Sequence, residues 1–175
     1  MNSAKCGVNM DLLYLVPTLP LVGFLILFLF GRRLSPTSIS FIGVGSVGLA
    51  AFVTALLVLD FHQLSITSYQ QTLWQWINLG DTSIGFSLYL DALSLTMISV
   101  VTGVGCLIHW YAAAYMQQDT DLARFFAYMN LFVCAMLLLV LADNLVLLYL
   151  GWEGVGLCSF LLIGFWYQKP ENAAA

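Results

Sequence analysis

The chain has 175 residues, of which 61% are apolar and only 8% charged, and its mean hydropathy is +0.93. A water-soluble domain carries about a quarter charged residues, so this composition excludes one and places the chain in a bilayer. The net charge of -4 comes with no basic patch, which excludes nucleic acid as a partner.

Residues 1–9 are largely polar with one lysine, Lys5, and lack the pattern of a cleavable signal peptide. Met10 is an alternative start, with Met1–Asn9 then an upstream extension. The first apolar run, Leu12–Phe30, is long enough to span a membrane, and the second span is expected over Ile39–Leu59. Inside it, Gly43, Gly45 and Gly48 match a GxGxxG pattern. A dinucleotide fingerprint needs a preceding strand and a polar cleft; within a span, these glycines and small Ser46, Ala50 and Thr54 read as close helix packing.

The connection 60–89 is polar and long, and His62 within it reads as solvated. Trp74 and Trp76 flank Gln75, and Ile84, Phe86, Leu88 and Leu90 alternate after Gly80, Asp81, Thr82 and Ser83. The alternation predicts two short strands around a turn, lying on the outer surface; the competing reading is an aromatic interface anchor without regular structure. Asp91, just before the third span at Ala92–Tyr111, reads as a helix cap. His109 beside Trp110 reads first as an interface anchor and second as a proton relay.

The fourth span is expected over Phe125–Ala142 and the fifth over Leu145–Tyr167. As one helix, the 43 residues Phe125–Tyr167 would reach about 65 Å, twice the ~30 Å hydrocarbon thickness. A turn is therefore expected at Asp143 and Asn144, with Asp143 a turn residue first and a proton entry point second. Asn130, inside the fourth span, is either a water contact or an interhelical hydrogen bond. The predicted fold class is an all-α integral membrane protein of five transmembrane helices, with a short outer-surface β-hairpin between spans two and three. The whole of 1–175 reads as one unit.

With five spans, Arg32, Arg33, Arg124 and Lys169 fall on one side and Lys5 alone on the other. The positive-inside rule then puts the N-terminus outside and the end of this chain inside. Asp11, Asp60, Asp81, Asp91 and Asp143 land outside, and Trp110, Tyr111, Trp166 and Tyr167 mark the inner interface. Cys6, Cys106, Cys134 and Cys158 form no CxxC motif and read as free thiols, with no metal site.

One residue resists a packing explanation. Glu153 is the ninth residue of the fifth run, about 12 Å from its start at 1.5 Å per residue. An ionised carboxylate at that depth costs about 3 kcal/mol even on lenient scales. All five basic residues lie at span ends, so an ion pair within this chain is not available to it. Either the group is protonated, or its cation comes from a helix outside this chain. Both states suit the loading and release of one proton. Around it, Gly151, Gly154 and Cys158 share a helix face pointing away from Glu153, while Tyr149 and Gly156 lie nearer the carboxylate.

The run Leu148–Tyr167, with Trp152, Glu153, Gly154, Val155 and Gly156 at its core, closely resembles the fifth-helix motif of the largest antiporter-like subunit (subunit L) of respiratory complex I, the proton-pumping NADH:quinone oxidoreductase. Trp74 to Trp76, Leu90 to Ser94 and Leu19 to Phe24 support the likeness, which covers about Met10 to the C-terminus. The resemblance implies that Glu153 is the membrane carboxylate of a proton channel, partnered in that family by a lysine on a later helix. It implies a multi-pass inner (cytoplasmic) membrane protein surrounded by lipid and by other membrane subunits of complex I. NADH and quinone would react elsewhere in the complex; no cofactor or redox centre is expected in this chain. Such proteins continue into further helices, so the chain is expected to be a fragment or a truncated frame. The alternatives are an Mrp-type cation/proton antiporter or hydrogenase membrane subunit, and a truncated scaffold that binds partners without conducting.

Overall fold

The computed structural model of the chain describes residues 10–65, 67–79 and 82–167. Five helices in it are long and apolar enough to cross a membrane. The first, α1 (Leu15–Phe30), is extended at both ends by 3-10 turns over Met10–Tyr14 and Gly31–Arg33. The second, α2 (Pro36–Gln63), starts three residues before the expected Ile39. Its cap explains this: the Ser38 amide donates to Ser35 Oγ at 3.2 Å, and Pro36 takes the first helical position, where its missing N–H costs nothing. Backbone hydrogen bonding also carries α2 past Leu59 through Asp60 and His62, to a length of about 42 Å.

The hairpin is larger than two short strands. β1 (Ser68–Leu79) pairs antiparallel with β2 (Thr82–Asp91), from Ser68 opposite Asp91 to Leu79 opposite Thr82. Register shifts fall between Thr72 and Trp74 and between Gln75 and Ile77; these interrupt the two-residue period and hide the strand's length in the sequence. Trp74 stacks on Phe86 across the pair, 4.3 Å between ring centroids. The expected turn residues Gly80 and Asp81 lie outside the described residues, as do Lys5, Cys6 and Lys169.

β2 runs directly into α3 (Ala92–Tyr115) through a capping box: the Ser94 amide donates to Asp91 Oδ1 at 2.7 Å, and the Asp91 amide donates to Ser94 Oγ at 2.7 Å. Asp91 is thus a cap, as read from its position. These bonds from the Ser94 amide and hydroxyl hold its carboxyl below the usual carboxylate range. The remaining helices are α4 (Leu122–Leu141) and α5 (Leu145–Ile163). The chain does turn at Asp143 and Asn144, and Asn144 caps α5 by accepting from the Leu147 amide at 3.0 Å.

α4 is the hub, packing against α1, α2, α3 and α5. One apolar cluster, with Leu13, Leu57, Leu88, Ile98 and Leu141, fills the hairpin end of the bundle. A second, with Leu27, Ile39, Met116, Phe126 and Phe165, fills the opposite end. The hairpin clasps the start of the first span, where Gln71 Nε2 donates to the Asp11 carbonyl at 2.9 Å and Tyr69 Oη donates to Asp11 Oδ1 at 3.0 Å. Among the described residues, the hairpin end therefore carries Asp11, Asp91 and Asp143, and the other end carries Arg32, Arg33 and Arg124.

Candidate functional site

The site is built on α5, and three sets of contacts decide how that helix is turned. At the hairpin end, Gln70 Nε2 donates to Asp143 Oδ2 at 2.7 Å, Asn144 Nδ2 donates to the Gly85 carbonyl at 2.9 Å, and the Asp143 amide donates to the Ser87 carbonyl at 3.3 Å. Asp143 is thus a bonded turn residue. At the opposite end, Arg124 Nη2 donates to the Phe165 carbonyl at 3.2 Å while its guanidinium lies 4.8 Å from the Phe165 ring centre and 5.8 Å from that of Tyr167. Trp166 Nε1 adds a bond to Asp119 Oδ2 at 3.0 Å. These contacts hold Gly164–Tyr167 as a turn, so the helix ends four residues before Tyr167.

Between those ends, α5 lies against α4 on its bare face. A methyl group at Gly151 would stand 2.6 Å from the Leu139 backbone nitrogen, and one at Gly154 would stand 3.0 Å from Ala135 Cβ. Cys158 is fully buried on the same face, close to Cys134 of α4. The glycine face read from the sequence is therefore the helix contact.

The consequence is that Glu153 points away from α4. It is exposed on the surface of the five-helix bundle, together with Trp152, Gly156, Leu157 and Phe160. A side chain at Gly156 would meet nothing within 4 Å. Tyr149, one turn earlier, is exposed as well. No ion pair forms to Glu153 among the described residues; the ion pair there is Arg124 with Asp121, at 3.0 Å. The arrangement is a carboxylate with a phenol one turn away, on a spanning helix, facing open surface. Chemically it suits proton acceptance and release.

A second polar group sits inside the bundle. Asn130 of α4 is fully buried; its Nδ2 donates to the Phe126 carbonyl at 2.9 Å and to the Gly43 carbonyl at 3.4 Å, and its Oδ1 accepts from Ser46 Oγ. Gly23 of α1 leaves the space, since a methyl there would press on Ser46 and Asn130. Asn130 is thus an interhelical bond, and Gly43 is a packing glycine whose added methyl would meet the Phe126 ring at 2.5 Å. The sequence pointed to Asn130 and Ser46 separately; that they pair follows only from the α2–α4 contact.

His109 corrects its first reading. It is fully buried, not an interface anchor: its Nδ1 is 2.8 Å from the Gly105 carbonyl, and its ring lies 6.1 Å from Phe126. The neighbouring Trp110 and Tyr111 are the exposed pair, and turning them outward directs His109 into the bundle.

Comparisons with known proteins give the family and the fold. A family profile described as "NADH-Ubiquinone oxidoreductase (complex I), chain 5 N-terminus" matches residues 76–126. A second, "NADH:quinone oxidoreductase/Mrp antiporter, TM", matches residues 142–175 and so includes Glu153. NADH-quinone oxidoreductase subunit L of Escherichia coli K12 is 57% identical over 166 residues, 95% of this chain and 27% of that subunit. Subunit L of Pseudomonas aeruginosa PAO1 is 53% identical over 168 residues, again 95% of this chain and 27% of its own length. The Mrp complex of Dietzia sp. DQ12-45-1b contains a chain with the same fold: TM-score 0.67 and 23% identity, over 95% of this chain and 16% of that one. The chain thus spans about a quarter of the length of the subunit L sequences it matches. By sequence and by fold, it is an integral membrane protein belonging to the complex I chain 5, or subunit L, family of antiporter-like subunits.

Proposed function

We propose that this chain contributes five spans of a proton-translocating membrane subunit of NADH:quinone oxidoreductase. One observation carries the reading: the carboxylate of Glu153 is turned away from its own bundle, and its helix α5 packs, among the described residues, chiefly against α4 alone. Such a group needs either a proton or a cation supplied from outside these five helices. Glu153 would alternate between the neutral acid and a carboxylate held by that cation. A pair of this kind titrates jointly, so its two steps belong to the pair. NADH and quinone would react on other subunits, and their electron transfer would drive the cycle through the complex.

The orientation follows from the basic residues. Arg32, Arg33 and Arg124 share one end of the bundle, which the positive-inside rule assigns to the cytoplasm, leaving the hairpin outside an inner membrane. With Cys6 replaced by serine, an impermeant maleimide applied to intact spheroplasts should label Ser83→Cys and spare Gln117→Cys.

The functional test is Glu153→Gln in the full-length subunit. Proton pumping by the assembled complex should fall at least tenfold, with assembly intact. Unchanged pumping would falsify the role of Glu153. Sodium-dependent transport would favour exchange of the Mrp type, whose fold the chain shares.

A further inference from the structure

The basic end of the bundle carries a feature that the Glu153 reading does not use. Arg32, at the end of the first span, and Arg124, in the first turn of α4, line one cavity of about 180 Å³ with Leu27, Phe28, Ala127 and Tyr128. Arg124 and Tyr128 also line a second depression of about 290 Å³ on the other flank of α4, walled by Phe160, Leu161 and Gly164. The two furrows thus share a ridge with a cation and a hydroxyl at its end.

The charges there are only partly satisfied. Arg124 gives Nη2 to Asp121 and to the Phe165 carbonyl, but its Nε–H is enclosed with no acceptor among the described residues. Arg32 is exposed and forms no ion pair among those residues. Asp119, the other acid at this end, accepts from Trp166 and from the Asp121 amide.

We propose that this end of the bundle binds one anionic phospholipid, its phosphodiester between Arg32 and Arg124 and its two acyl chains along the furrows on either side of α4. Three observations select that occupant. The cavity sits where spanning helices end, at headgroup level. Its walls are the aliphatic and aromatic side chains of the spans, so the apolar part of a lipid continues from the charged part. Arg32 and Arg124 line the cavity with no acidic side chain among its walls; Asp121 offsets Arg124 and leaves Arg32 without a counter-charge among the described residues, which favours a net negative headgroup over a zwitterionic one. Basic pockets between spanning helices are known to hold anionic headgroups by the same chemistry. The proposal rests on membrane insertion alone, not on Glu153.

The test uses the whole chain in nanodiscs of equal phosphatidylcholine and phosphatidylglycerol, with native mass spectrometry of the lipid retained on release. Wild type should retain phosphatidylglycerol preferentially. Arg32→Gln should lower that preference about fivefold. Arg33→Gln removes the same charge outside the cavity and should change it less than about twofold. Millimolar glycerol 3-phosphate should displace nothing. Equal retention of both lipids, an equal loss in Arg33→Gln, or displacement by glycerol 3-phosphate would each overturn the site. Both variants lie at an exposed helix end, and circular dichroism of each should match wild type.

Discussion

Alanine placed at Gly151 and at Gly156 should have opposite consequences, because the two glycines face opposite sides of α5. At Gly151 the new methyl would stand 2.6 Å from the Leu139 nitrogen and 2.8 Å from its Cα. Ordinary contact begins at 3.4 Å, so the helices are about 0.8 Å too close to admit it. The obstacle is backbone, which no rotamer change removes. Overpacking of this kind costs about 1–3 kcal/mol. At Gly156 the methyl meets nothing within 4 Å. Each substitution also gains helix propensity, about 1 kcal/mol, so the difference between the two variants isolates the clash. Reversible unfolding in mixed micelles, titrated with sodium dodecyl sulfate, should place Gly151→Ala about 1–3 kcal/mol below Gly156→Ala. Equal stability of the two would show that α5 does not rest on α4 through this face, and the outward direction of Glu153 would lose its basis.

Two further outcomes follow from the caps and the buried amide. Asp91→Ala should cost about 1 kcal/mol at neutral pH. The folded carboxyl is held below its ordinary value of 3.8, so its contribution is complete above that pH and is lost as pH falls through the lower folded value. The stability gap between wild type and Asp91→Ala should therefore narrow below about pH 3.8, as measured by unfolding across an acid series. For the polar contact inside the bundle, a double-mutant cycle of Ser46→Ala and Asn130→Ala should give a coupling of about 0.6–2 kcal/mol, the range for hydrogen bonds between membrane helices. Additive losses would mean that the two side chains do not interact.

The five spans were legible because a bilayer imposes one length and one polarity on each crossing, and five runs of the chain meet both. The turn at Asp143 and Asn144 was legible for the same reason: a single helix through it would have been twice too long. Helix ends were less visible. The start of α2 is set by Ser35 and Pro36 rather than by the first apolar residue, and the end of α5 is set by Arg124 reaching from α4 to the Phe165 carbonyl. Both the irregular pairing around Trp74 and the inward turn of His109 depend on partners distant in sequence, so neither the length of β1 nor the burial of His109 could be read locally. Glu153 stood out from depth and charge alone, but the side of α5 on which it lies depends on the packing of that helix. The glycine face on its far side was legible from helix geometry, and the α4 contact gives that face its meaning.

Whether Glu153 exchanges a proton can be observed at the group itself. Infrared difference spectroscopy on the assembled complex, with NADH supplied and withheld, reports the carbonyl stretch of a protonated carboxyl. A band that changes between resting and turning-over enzyme, shifts in heavy water and is missing in Glu153→Gln is the expected result. A spectrum identical in wild type and Glu153→Gln, with electron transfer running normally, would contradict a proton-carrying role for this side chain.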